Sequence, residues 1–137
     1  MVILCGTIDK VFKDADGKLC ICDYKFTTTW DTETYLEHAR HLPALRFYSM
    51  MLRDFLELDY YPPVYLEGIF LKRLSKSKPD INKIAEFKVS SRYEFFEEEM
   101  TIFKNMLDET MKKWIGYLNQ ADYKDRSTWP LDRDWET

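Results

Sequence analysis

The sequence lacks any apolar run near the ~20 residues that a membrane-spanning helix needs, so no membrane association through such a helix is expected. It also lacks a signal-peptide pattern. The opening Met1-Val2-Ile3-Leu4-Cys5-Gly6 has no basic leader and is too short for an apolar targeting core, so it reads as the start of a first strand. Cysteine is scarce and odd in number, with Cys5, Cys20 and Cys22 alone. That count excludes a closed disulfide framework, and the apolar setting of all three predicts buried, reduced thiols in a cytoplasmic protein. Cys20 and Cys22 have C-x-C spacing but no second pair to complete a metal site, which leaves them a structural role. An excess of positive charge is missing too. The net charge of −4 and pI of about 5.2 exclude a whole-surface grip on nucleic acid, although a local basic cleft stays open. No repeat, low-complexity tract or linker interrupts the chain.

Present instead are 45% hydrophobic and 16% aromatic residues within 137, enough for the core of one folded domain. The expected domain runs from residue 1 to 118, and residues 119–137, polar with scattered Trp, read as an irregular tail. Val2–Phe12 and Lys18–Phe26 are rich in Val, Ile, Leu and Phe, and Asp14-Ala15-Asp16-Gly17 between them is a turn with Gly where a positive φ is required. A type I turn followed by a Gly bulge makes Asp14 and Lys18 the closing pair, so paired residue numbers sum to 32. Thr32–Leu58 has helical periodicity, with Tyr35, Leu36, Ala39, Leu42, Leu45, Tyr48, Met51, Leu52 and Phe55 on one stripe. Pro43 predicts either a kink at Leu42 or a short helix followed by a longer one. Tyr60-Tyr61-Pro62-Pro63 ends the helix, Val64–Leu71 reads as a strand and Lys83–Val89 as a weaker one. Ser91-Arg92-Tyr93-Glu94 has the form of a capping box, predicting a helix from there to about Leu118 with Phe96, Phe103, Leu107, Trp114 and Leu118 at core spacing. The order strand, strand, helix, strand, strand, helix predicts an α/β fold with a mixed β-sheet flanked by helices.

The hairpin register carries the chemistry. It sets Asp9 opposite Asp23, and Lys25 lies two residues farther on the same face. Two carboxylates so close repel unless a cation or a proton lies between them, and hard oxygen ligands favour Mg²⁺ or Mn²⁺ over zinc. With an ammonium beside them, the set suits phosphodiester hydrolysis. A solvent-facing cross-strand ion pair is the alternative for the same residues. The apolar neighbours Cys20-Ile21-Cys22, Tyr24 and Phe26 argue against it, because charge set in an apolar strand is costly unless paired or metal-bound.

Gly6-Thr7-Ile8-Asp9 followed by Asp23-Tyr24-Lys25 resembles the G-x-x-D and D-Y-K motifs of the PD-(D/E)XK nucleases, in particular the RecB-type and phage exonuclease branch. The resemblance covers roughly Val2 to Leu52. It implies a restriction-endonuclease-like core and a divalent-metal-dependent deoxyribonuclease, most simply an exonuclease of recombination, repair or phage DNA metabolism. Asp9, Asp23 and the Tyr24 backbone carbonyl would hold Mg²⁺ or Mn²⁺, and Lys25 would be catalytic. It further implies DNA as partner, with a helicase or recombination protein as a second. That branch has a Gln-x-x-x-Tyr motif on the following helix; Tyr48 matches the Tyr, but Ala44 stands at the Gln position. The family also supplies a helix with an acidic residue before the first strand, whereas this sequence opens at the strand. These departures leave a second reading, a catalytically degenerate nuclease-fold module that binds DNA or acts as a scaffold within a helicase–nuclease assembly. No cysteine follows Cys22, so the iron–sulfur cluster of some relatives is not expected.

Lys72, Arg73, Lys76, Lys78 and Lys83 cluster on the segment between the last two strands; Lys72, Arg73 and Lys76 become candidate phosphate contacts, with a solvated loop as the alternative. Tyr48 is a further candidate substrate contact. His38 and His41 read as surface or capping residues. Trp114 reads as core, and Trp129 and Trp135 as docking or base-stacking residues.

Overall fold

A computed structural model of the protein describes residues 3–72, 85–120 and 124–125. The chain divides into two compact units, Met1–Phe96 and Glu97–Thr137. The first contains β1 (Lys10–Lys13), β2 (Leu19–Thr29), α1 (Thr32–Ala39), α2 (Pro43–Leu56), β3 (Val64–Lys72) and β4 (Ala85–Val89); the second contains α3 (Glu97–Gln120). Among the described residues the fold is α/β, with three helices and a four-stranded mixed sheet in the order β1-β2-β3-β4. β1 and β2 are antiparallel, β2 and β3 parallel, and β3 and β4 antiparallel.

The hairpin forms in the predicted register. Lys10 pairs with Cys22, Val11 with Ile21, Phe12 with Cys20 and Lys13 with Leu19, each pair summing to 32. Asp14 closes the turn: its N–H donates to the Lys18 carbonyl at 2.9 Å and its carbonyl accepts from the Gly17 N–H at 3.0 Å. Its Oδ1 accepts from both the Asp16 and Lys18 N–H groups at 2.9 Å. Gly17 has φ +79, the left-handed region that a Cβ disfavours. Arg92 anchors the turn from outside through a 2.8 Å bond from Nη1 to Asp14 Oδ2. That bond holds the Asp14 carboxyl below its ordinary range, against a smaller opposing push from burial.

The β1 strand is shorter than predicted. Only Lys10–Lys13 pair, and Ile3–Ile8 is irregular, because at Asp9 a side chain replaces the ladder: Asp9 Oδ2 accepts the Tyr24 N–H at 2.9 Å. Upstream of that point Ile8 packs on the core, and Cys5 is exposed rather than buried.

Pro43 splits the helical segment in two, the second of the predicted outcomes. Leu42, ahead of the proline, is forced to ψ 130, and Pro43 opens α2 where its missing N–H costs no helical bond. Asp31 caps α1 by accepting from the Glu33 N–H. Leu36, Ala39 and Leu45 join Ile21, Val64, Leu66, Phe70 and Tyr93 in the core. Leu42 and Phe55 lie on the predicted stripe yet are exposed, since the break turns one out and the other extends past the sheet. Ser49, fully buried, donates to the Pro62 carbonyl at 2.7 Å, and the Pro63 carbonyl accepts from Ile21 N–H, so the Pro-Pro segment leads straight into β3.

The capping box predicted at Ser91 does not form. Tyr93 exchanges two backbone hydrogen bonds with Val64, at 2.9 and 3.0 Å, and Glu94 pairs with Arg92 instead of reaching back to Ser91. The helix starts at Glu97. Described by itself, α3 buries Met100 and half-buries Phe103 and Leu107, whereas Trp114 and Leu118 are exposed, as is Phe96 before it. Trp129 and Trp135 fall outside the described residues.

Replacing Gly17 by Ala is expected to cost about 1 kcal/mol, the penalty for a Cβ in the left-handed region. A urea midpoint shift at unchanged slope checks this. Asp14→Asn is expected to flatten acid unfolding, because a depressed carboxyl contributes stability above its unfolded value that is lost as pH falls through its folded one.

Candidate functional site

Residues alternate between faces along β2. Ile21, Asp23 and Lys25 point toward α1 and α2, with Val64, Leu66 and Phe70 of β3; Cys20, Cys22, Tyr24 and Phe26 point to the other side. On this second face Phe12 and Tyr65 meet at 5.7 Å over the cysteines. Farther along, Tyr24, Phe26, Ile69, Phe87 and Val89 form an exposed apolar surface.

Asp23 is only 8% exposed although it carries a carboxylate. Its Oδ2 lies 2.8 Å from Lys25 Nζ, but off the hydrogen-bonding direction, so this buried atom receives no well-formed hydrogen bond from the described residues. An ammonium is therefore the counter-ion of this buried carboxylate. Burial presses Lys25 toward its neutral form, yet contact with Asp23, helped by the fields of Tyr35 and Asp9, outweighs it and raises the pKa above the ordinary lysine value. Lys25 thus stays charged at neutral pH, and its contribution to stability is lost only as pH rises through that elevated value.

Asp9 stands one residue before the first β1–β2 pair, Lys10 with Cys22, where the ladder has already ended. One of its oxygens is fixed by the Tyr24 N–H. In an extended strand the N–H and C=O of one residue leave the same edge, so the Tyr24 carbonyl also faces outward on the Asp9 side, where β1 has ended. Asp9 is thus joined to the Tyr24 backbone by a hydrogen bond, and Asp23 to Lys25 by an ion pair. Among the described residues, no group of three or more His, Cys, Asp or Glu side chains is arranged to hold a metal.

The other candidates lie elsewhere. Tyr48 packs on α2 against Phe47 and Gly6, where a Cβ would stand 3.0 Å from the Tyr48 ring. Lys72 pairs with Thr29 at the end of β3, four residues or about 13 Å along the strand from Gly68, the partner of Lys25. Arg73, Lys76, Lys78 and Lys83 fall outside the described residues. His38 and His41 are exposed, and His41 Nε2 lies 3.8 Å from Glu37.

Gly68 escaped the sequence reading. A Cβ there would lie 2.1 Å from the Lys25 carbonyl oxygen, so only glycine lets β3 approach β2 behind the lysine. An isolated glycine within Val64–Leu71 was the available signal, since such a residue marks a close backbone approach. Glu67 was also missed; it accepts from the Cys22 thiol at 3.2 Å on the second face. Burial first, then the Glu67 carboxylate, push Cys22 up to about 12, so this thiol is inert rather than nucleophilic.

No protein-family model, curated protein or solved structure matches the chain. Among the described residues, no helix is long and apolar enough to cross a membrane.

Gly68→Ala is expected to destabilise the fold by about 1–3 kcal/mol, the usual cost of overpacking, because the obstructing atom belongs to the main chain. Chemical denaturation measures it, and a neutral result would show that β2 and β3 separate freely at this point. Maleimide at pH 8 is expected to label Cys5 in the folded chain and to reach Cys20 and Cys22 only after denaturation, as read by peptide mass.

Proposed function

We propose that the chain is the nuclease-like core of a divalent-metal-dependent deoxyribonuclease of the PD-(D/E)XK type, hydrolysing DNA phosphodiester bonds. The observation that carries this reading is the buried Asp23 carboxylate, whose nearest opposite charge is Lys25 and whose Oδ2 has no well-formed hydrogen bond. A carboxylate kept this far from water needs a cation. The ammonium serves as one in the chain alone, and Asp9 across the hairpin adds a second hard oxygen donor.

This donor set fits Mg²⁺ or Mn²⁺, held by Asp9, Asp23 and the Tyr24 carbonyl. Such an ion supplies polarisation of a phosphoryl oxygen and acidifies water. The protein's own contribution is positional. Asp23 orients its neighbours from a rigid central strand, and Tyr24 N–H pins Asp9. Lys25, once released from Asp23, presents a permanent positive charge to the phosphate as negative charge builds on its oxygens.

Incubation of the chain with linear single- and double-stranded DNA and Mg²⁺ or Mn²⁺ tests the proposal. Asp23→Ala and Lys25→Ala are each expected to lower the rate by about 10²–10³-fold, the range for removing one preorganised electrostatic group. Turnover undiminished in both variants would refute the assignment.

A second reading, a nuclease fold without turnover, is favoured by Ala44 at the position where the resemblance requires a Gln. Calorimetric titration with Mn²⁺ separates the two. The degenerate module would bind the ion weakly and cleave nothing, whereas the enzyme loses its binding heat on Asp23→Asn.

A further inference from the structure

The register across three strands aligns Lys25 of β2, Gly68 of β3 and Lys88 of β4 in one row. Cross-strand partners share a face, so both lysines stand on the side of the sheet that carries Asp23. The residue between them has no side chain. The two lysine backbones are two strand spacings apart, about 10 Å, within the reach of two lysine side chains leaning toward one another.

The contacts of Lys88 agree with this orientation. Its ammonium pairs with Glu33 in the first turn of α1. Two residues along the same helix, Tyr35 packs its ring on Phe70 at 5.6 Å, two residues beyond Gly68. Thr32 ties the start of α1 to β4 by donating to Glu86 at 3.1 Å. The Lys88 backbone is therefore fixed by the sheet, and its counter-ion by a helix held to the same strand. Glu33 itself is largely exposed, at 69% of its side chain, so the pair is weak, screened by salt and open to exchange.

We propose that Lys88 is a second phosphate contact of the site: it holds the phosphate next to the one facing Lys25, and Glu33 is the counter-ion it gives up when DNA binds. This inference rests on the nuclease reading above and adds to it a second contact with the substrate. Lys25 attends the reacting phosphate and Lys88 fixes the register of the chain beside it.

The test is the salt dependence of binding of a short fluorescent oligodeoxynucleotide to the full chain, with Ca²⁺ in place of Mg²⁺ to hold back cleavage. Lys88→Gln is expected to weaken binding equally for different base sequences and to reduce the slope of log K against log salt by about 1. Lys88→Arg should keep the slope, and Glu33→Gln should tighten binding. Lys25→Gln, measured alongside, separates the two ideas. If it lowers the slope while Lys88→Gln does not, the second contact is overturned and the site itself stands. A wild-type chain that binds no DNA at low salt brings down both.

Discussion

The register of β1 against β2 governs every other relation in the site, and one carboxylate holds that register. Asp14 closes its own turn by accepting from the Asp16 and Lys18 N–H groups and is clamped from outside by Arg92. Because strand side chains alternate with a period of two, a slip of one residue would move Asp9 to the opposite face from Asp23. The turn therefore does more than reverse the chain. It decides which face of the hairpin each side chain takes.

Asp23 shows how the sheet keeps a buried charge stable. A carboxylate in the central strand of a small α/β domain suffers desolvation that a surface carboxylate does not. The chain answers with the ammonium two residues along, on the same face and 2.8 Å away. Net charge near the pair is then low. Among the described residues no other donor reaches Asp23 Oδ2, so the buried carboxylate depends on that one ammonium.

The two faces of the sheet divide the work. One carries Asp23 and Lys25 under α1 and α2, with Gly68 allowing β3 close behind the lysine. The other keeps the cysteines out of chemistry, beneath the Phe12–Tyr65 ring pair and with Cys22 facing Glu67. A thiol pushed up to about 12 beside a carboxylate neither binds metal readily nor attacks. Cys20 and Cys22 thus act as small apolar residues on the far side of the strand that bears Asp23 and Lys25.

The hairpin, its register, the break at Pro43 and the alternation that separates Asp23 from Cys22 were legible in the residues, because each depends on local geometry: a glycine with positive φ, a proline without N–H, a side-chain period of two. The length of β1, the failure of the capping box at Ser91 and the exposure of Cys5, Phe55 and Trp114 were not legible. They turn on partners distant in the chain, such as Tyr24 for Asp9 and Val64 for Tyr93. The same division runs through the site. Asp9, Asp23 and Lys25 could be named from spacing, whereas Gly68 behind the lysine and Lys88 beyond it emerged only when β3 and β4 aligned next to β2. Sequence alone determined which groups share a strand face; tertiary structure decided which strands stand side by side, since strand order is set by long-range burial that no local pattern encodes.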